Sequence, residues 1–255
     1  MTNQASIIRL EANGPGGAGL KPMTLNAADF QSPLPNQHSH SYYSDESKGI
    51  NVGVWDTTTM QEAFGPYPGD EFIWVLEGAF EMTDGKGGSV PARAGQAVCF
   101  RNGAPVSWKQ DGYLKKFFIT YLEPGAKTPK IESAEGGIVV LDPDAKMDLM
   151  DTTDPFVIKG AAPKQHNLTS FTNDTGNMFM GQWDSGPMIS EMRPFPTHEF
   201  VQMLEGEVTI TEDTGAEQTF RAGDCFFVPK GTVCSWEIPD YVRKFYCILD
   251  VGSDA

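Results

Sequence analysis

The chain has 255 residues, 40% of them hydrophobic and 21% charged, with a net charge of −15 and a pI near 4.6. This suits one large or two small soluble globular domains. The acidity disfavours nucleic acid and anionic membrane surfaces as partners, and no apolar run approaches the roughly 20 residues that span a bilayer.

In chain order, residues 1–17 lack a basic start followed by a long apolar core, so no secretory signal is expected. Residues 1–25, with their Gly14-Pro15-Gly16-Gly17 stretch, read as extended or loose chain. Residues 71–76 (EFIWVL) form an apolar strand that ends at a Glu77-Gly78 turn. Residues 79–83 alternate and then meet Asp84-Gly85-Lys86-Gly87, the signature of a hairpin. Ala94-Gly95 leads into a further apolar strand. Residues 132–135 and 142–150 are short helix candidates. The second half then repeats the strand signals. Residues 199–204 (EFVQML) end at a Glu205-Gly206 turn, and residues 207–211 run into Glu212-Asp213-Thr214-Gly215. Many short strands punctuated by Gly and Pro argue for an all-β barrel or sandwich.

The repetition is systematic. PYPGDEFIWVLEG at 66–78 returns as PFPTHEFVQMLEG at 194–206, an offset of 194 − 66 = 128. Applied without gaps to residues 53–119 against 181–247, that offset gives 22 identities in 67 positions. The pairs include Trp55/Trp183, Glu71/Glu199, Gly78/Gly206, Trp108/Trp236, Tyr113/Tyr241 and Lys116/Lys244. Upstream, His38 pairs with His166. A period this long marks duplication of a whole domain. The expected organisation is an N-terminal extension over 1–34, a barrel over 35–122, a linker over 123–162 and a second barrel over 163–255. The four cysteines, Cys99, Cys225, Cys234 and Cys247, show no CxxC spacing and read as free thiols in a reducing, cytoplasmic setting.

Six residues separate Glu71 from Gly78 and Glu199 from Gly206. Gly223, Pro229 and Gly231 follow in the second copy, with Cys234 next. The first copy has Gly95, Arg101, Gly103 and Val106 at the same places. This pattern resembles the two motifs of cupins, with Cys234 and Val106 where a cupin's second motif carries histidine. More narrowly, the "DEF…VLEG" and "RKFY" phrases resemble the ethanolamine-utilisation cupins and, more distantly, bicupins of the (S)-ureidoglycine aminohydrolase kind. The resemblance implies two tandem double-stranded β-helix (jelly-roll) barrels, each built around its motif glutamate.

In metal-dependent cupins that glutamate ligates a metal together with histidines. The residues before Glu71 (Phe64, Gly65, Pro66, Tyr67) and before Glu199 (Met192, Arg193, Pro194, Phe195) supply no such ligand. No metal is expected in the first barrel. A divalent metal in the second would draw on Glu199, Cys234 and His166. His198 should point away from its strand neighbour Glu199. A carboxylate inside a barrel needs a partner, and the repeat offers Lys116/Lys244, Arg93/Arg221 and Tyr113/Tyr241. Glu199 and Lys244 are therefore the candidate catalytic residues; Glu71, Lys116, Trp108, Trp236 and Tyr241 are the candidate ligand-binding residues. The paired tryptophans also suit a core or an interface. Two functions are compatible with these residues. One is a small-molecule-binding bicupin with degenerate metal motifs. The other is a hydrolase or lyase acting on a small polar, nitrogen-containing metabolite in the second barrel, the copy with the fuller motifs. The expected partner is a small polar metabolite, and the expected state is a monomeric bicupin or a homodimer.

Overall fold

A computed structural model describes residues 5–252. Among them are strands and two short 3-10 turns, with no α-helix. The chain divides into two compact units. One holds Leu10–Leu141; the other joins Asp142–Ala255 to the chain's first residues, Met1–Arg9.

In the first unit, seven strands form one sheet. Within it, Asp70–Glu77 is flanked by Ala97–Phe100 on one side and Leu114–Tyr121 on the other. Ile50–Thr57 and Gln37–Asp45 extend it outward. The facing sheet is built on Ala79–Thr83, which pairs with Ser89–Arg93 and with Pro105–Gln110. Alternation along each strand sorts the side chains. Ile73 and Val75 enter the barrel core with Leu114, Phe118 and Trp108. Glu71 shares their parity, as Lys116 shares that of Leu114 and Phe118.

The second unit repeats this plan with one difference. His198–Glu212 is a single strand of 15 residues. Its first half pairs with Cys225–Val228 and Val242–Leu249; its second half pairs with Glu217–Arg221 and Val233–Ile238. The Glu205-Gly206 dipeptide, expected as a turn, is instead a corner at which one strand passes from the first sheet to the second. Residue pairing slips between Met203 and Glu205 at that corner, as a bulge would make it. Gly78 marks the same corner in the first unit, between Asp70–Glu77 and Ala79–Thr83. The hairpins expected after 79–83 and after 207–211 both form.

The helix expected over 142–150 does not form. Asp142 Oδ1 accepts from the Asp144 amide at 2.9 Å, an Asx turn that competes with helix, and Asp148–Leu149 pairs as a strand with Gln165–Thr172. Residues 132–135 form bends and turns leading into Ile138–Val140. The N-terminal segment, expected to be extended or loose, includes short strands at Ile8–Leu10 and Lys21–Pro22 and is partly built in. Ile8–Leu10 lies beside Cys225–Val228, Ile7 is buried in the second barrel's core, and Glu212 Oε1 accepts from Ser6 Oγ at 2.7 Å and from the Ile7 amide at 2.8 Å.

Gly206 has φ +75°, and a Cβ there would lie 1.7 Å from the Tyr241 carbonyl oxygen. Both the left-handed backbone and the close approach require glycine. Gly206→Ala should therefore destabilise the second barrel by on the order of 3 kcal/mol, read as a lowered urea midpoint. An exposed glycine with open space around it, such as Gly223→Ala, should cost clearly less.

Candidate functional site

Each barrel encloses the same ion pair. Lys116 Nζ lies 2.7 Å from Glu71 Oε1, and Lys244 Nζ lies 2.7 Å from Glu199 Oε1. The side chains are 9% and 8% exposed in the first barrel and 4% each in the second. Strand register explains the reach. Lys116 pairs with Trp55 on one neighbour and Val75 on the other, while Glu71 pairs with Thr120, four residues further along. The lysine stem therefore runs along the sheet to the carboxylate. Trp55 and Trp108 stand over the Lys116 ammonium at 5.1 and 5.0 Å. Trp183 and Trp236 stand over Lys244 at 4.8 and 4.7 Å. Ring faces attract the ammonium and shield it from water.

The pockets above the pairs differ. The first barrel has a cavity of about 430 Å³ lined by Glu71, Lys116, Trp55, Trp108, Tyr67 and Glu62, among others. Tyr67 Oη donates to Glu71 Oε2, and burial, reinforced by the Glu71 charge, pushes its phenol well up. Burial also pushes the Glu62 carboxyl up to about 7; Lys116 opposes the shift, while Glu71 and Asp29 add to it. In the second barrel the cavity is about 200 Å³. Phe195 stands where the first copy has Tyr67, Ser190 where it has Glu62, and Phe156 where it has Ala28. The Phe156 ring packs 6.0 Å from Trp183 and 5.1 Å from Trp236, and it lines what space remains.

The structure thus brings together Glu199, Lys244 and Trp236 in one barrel and Glu71, Lys116 and Trp108 in the other. Trp236 covers the lysine but is screened from the cavity wall, where Trp183 and Phe156 stand. Tyr241 is elsewhere. Its hydroxyl donates to Asp184 Oδ2 at 3.2 Å, and Asp184 Oδ1 lies 2.7 Å from His166 Nδ1. His38, Asp56 and Tyr113 form the same cluster in the first unit, at 2.8 and 2.9 Å. Burial, with the charge of Asp184, pushes the Tyr241 phenol up to about 12. Asp184 follows Trp183 on its strand and so faces away from the barrel interior. His198 is likewise on the opposite face from Glu199. It is buried against Phe227, with near-parallel rings 5.8 Å apart, and its Nδ1 accepts from the Lys230 amide at 3.1 Å.

The ligand set Glu199, Cys234 and His166 does not assemble. His166 is held by Asp184, and Cys234 sits in the apolar core, where burial pushes its thiol up to about 11. Among the described residues no three His, Cys, Asp or Glu side chains converge as a metal site would require. The motif glutamate in each barrel already faces an ammonium ion, which would repel a divalent cation. These donors do not fit a metal at Glu71 or Glu199. Arg93 and Arg221 take no part; Arg221 pairs with Glu207 on the surface.

Sequence reasoning missed Glu62, Tyr67 and Phe156. Their signal lies in the mismatches of the repeat, Glu62/Ser190, Tyr67/Phe195 and Ala28/Phe156.

Comparison with known proteins agrees with this architecture. Residues 173–246 match the family described as EutQ-like cupin domain. The crystal structure of a protein of unknown function from Pseudomonas syringae pv. tomato is similar over 96% of this chain and 100% of its own, at 25% identity and a TM-score of 0.76. A cupin 2 conserved barrel domain protein from Leptotrichia buccalis shares the fold over 90% of this chain and 96% of its own, at 12% identity and a TM-score of 0.53. AerE from Microcystis aeruginosa does so over 91% and 97%, at 12% identity and a TM-score of 0.51. No curated protein matches the chain. The chain folds as two jelly-roll barrels, and the second of them carries the match to the EutQ-like cupin domain. No helix among the described residues is long and apolar enough to cross a membrane.

Removing one partner of the ion pair strands the other charge in the core. Lys244→Met should cost about 3 kcal/mol in chemical denaturation, and adding Glu199→Leu should recover most of the loss. Glu62 sets a separate expectation. Its raised pKa means that ionising it opposes folding: the penalty is absent at acid pH, grows above the ordinary carboxylate range and is complete above about 7. Glu62→Gln should therefore stabilise the protein by on the order of 2 kcal/mol above neutral pH and by nothing near pH ~4, measured as denaturation midpoints across pH.

Proposed function

We propose that this bicupin binds a small polar metabolite, with the buried Glu–Lys pair under two tryptophans as its recognition element in place of a metal. One observation carries the reading. The same pair, at the same 2.7 Å and beneath the same two tryptophans, occurs in both barrels, and each pair opens on a cavity. As core filling alone, a buried ion pair gains little over apolar residues of the same volume. Lining a cavity, it offers a ligand both a fixed acceptor and a fixed donor. The first barrel, with about 430 Å³, suits a small metabolite better than the second. A hydrolase or lyase working in the second barrel draws less support, because Phe156 and Phe195 fill much of the space beside Glu199. The four cysteines are buried and form no disulfide, which suits a cytoplasmic protein.

The test is a thermal-shift screen of the full chain against small polar metabolites, repeated on Glu71→Gln and Glu199→Gln. A compound that stabilises the wild type, and loses its effect in one of the two variants, supports the reading. No stabilising compound, or shifts that survive both substitutions, overturns it.

A further inference from the structure

The charge inside the first barrel does not balance. Glu71 and Lys116 neutralise each other, but Glu62 and Asp29 also line the cavity and bring no cation with them. The backbone of Glu62 is secured: its amide donates to the Trp108 carbonyl at 2.8 Å, and its carbonyl accepts from Ser107 Oγ at 2.7 Å. Its carboxylate makes no hydrogen bond or ion pair among the described residues. The second barrel shows that the fold does not need an acid there. Ser190 occupies the position, and its hydroxyl is used internally, accepting from the Trp236 amide at 2.9 Å. A desolvated carboxylate without a partner opposes folding, so the first barrel retains a group that only something absent from the chain itself would complete.

Chemistry narrows what that something is. An anionic ligand would meet Glu62, Glu71 and Asp29, while the one cation, Lys116, is already committed to Glu71. A cation would supply the missing counter-charge. Much of the remaining wall is aromatic and apolar, with Trp55, Trp108, Phe118 and Met60, beside the polar Gln37, Asn51 and Thr120; the apolar part favours a ligand with a hydrocarbon body, and its ring faces favour positive charge. Resting on the reading that this cavity takes a small molecule, we infer that its ligands are small organic ammonium ions, with the charged nitrogen at the Glu62 carboxylate and the apolar body against the tryptophans. Binding draws Glu62 into its ionised form and releases its proton. The titratable and charged groups facing Glu62 are Lys116, Glu71, Asp29 and Tyr67. Burial pushes the Glu62 carboxyl itself up to about 7.

Three probes of matched shape test this on the full chain by titration calorimetry: cyclohexylamine, cyclohexanol and cyclohexanecarboxylate. At about pH 8 the amine should bind on the order of tenfold more tightly than the alcohol, and the carboxylate most weakly. From about pH 8 to about pH 6 the amine should lose roughly tenfold in affinity as Glu62 takes up its proton, while the alcohol stays level; the amine itself remains charged throughout. Glu62→Gln, and Glu62→Ser, which installs the second copy's residue, should each abolish the amine's advantage and its pH dependence. Retained alcohol binding in these variants reports an intact cavity. Alcohol binding equal to amine binding, or an amine preference that survives both substitutions, overturns the ammonium assignment and leaves the small-molecule reading standing. Failure of all three probes to bind overturns the ammonium assignment, and the metabolite screen on Glu71→Gln and Glu199→Gln decides the small-molecule reading separately.

Discussion

A carboxylate and an ammonium ion 2.7 Å apart, the ammonium beneath two indole rings, hold the interior of each barrel together. Everything near them follows from the need to keep both charges satisfied away from water. The glutamate and the lysine sit on adjacent inner strands of one sheet, so the pair ties two neighbouring strands together. The tryptophans come from other strands and close over the lysine. This arrangement uses the position that a cupin resemblance would give to a metal ligand, and it fills the role of the metal's charge with a side chain.

Duplication makes the comparison between barrels informative. Both keep the pair, the tryptophans and the outward His–Asp–Tyr cluster that staples neighbouring strands. They diverge in what surrounds the pair. In the second copy, Phe156 and Phe195 extend the apolar core up to the lysine. In the first, Ala28 leaves space, Tyr67 adds a second donor to Glu71, and Glu62 adds an acid without a partner. One barrel has been packed towards stability and the other left with an open, polar interior.

The architecture was readable because period-two strands, hairpin turns and a gap-free internal repeat all pointed the same way. The Glu–Lys pairing was readable as one of three candidates, since an interior carboxylate demands a partner and Lys116/Lys244, Arg93/Arg221 and Tyr113/Tyr241 all recur at the repeat offset. Other features were not. Glu205-Gly206 carries a turn signal, and whether such a glycine reverses a strand or bends it between sheets depends on which strands lie opposite. The 142–150 segment has helical composition, but the Asp142 side chain captures a local amide and the sheet captures Asp148–Leu149. His166 occupied a plausible ligand position until Asp184, hidden from one-dimensional reading by its distance along the chain, claimed it. Glu62 went unnoticed because attention to repeated identities passes over the residues that make one copy different.

The second barrel is not contiguous in the chain. Ile7 is part of its core, and Glu212 holds the Ser6 hydroxyl and the Ile7 amide. During synthesis those first residues emerge from the ribosome with the whole of Leu10–Leu141 still to be made before their partners exist. The first barrel's strands are all made before the second's, whereas the second must recover a segment that precedes the first barrel in the chain. Ser6 and Ile7 are thus held in reserve, and closure of the second barrel waits on a segment that the first barrel separates from it in the chain.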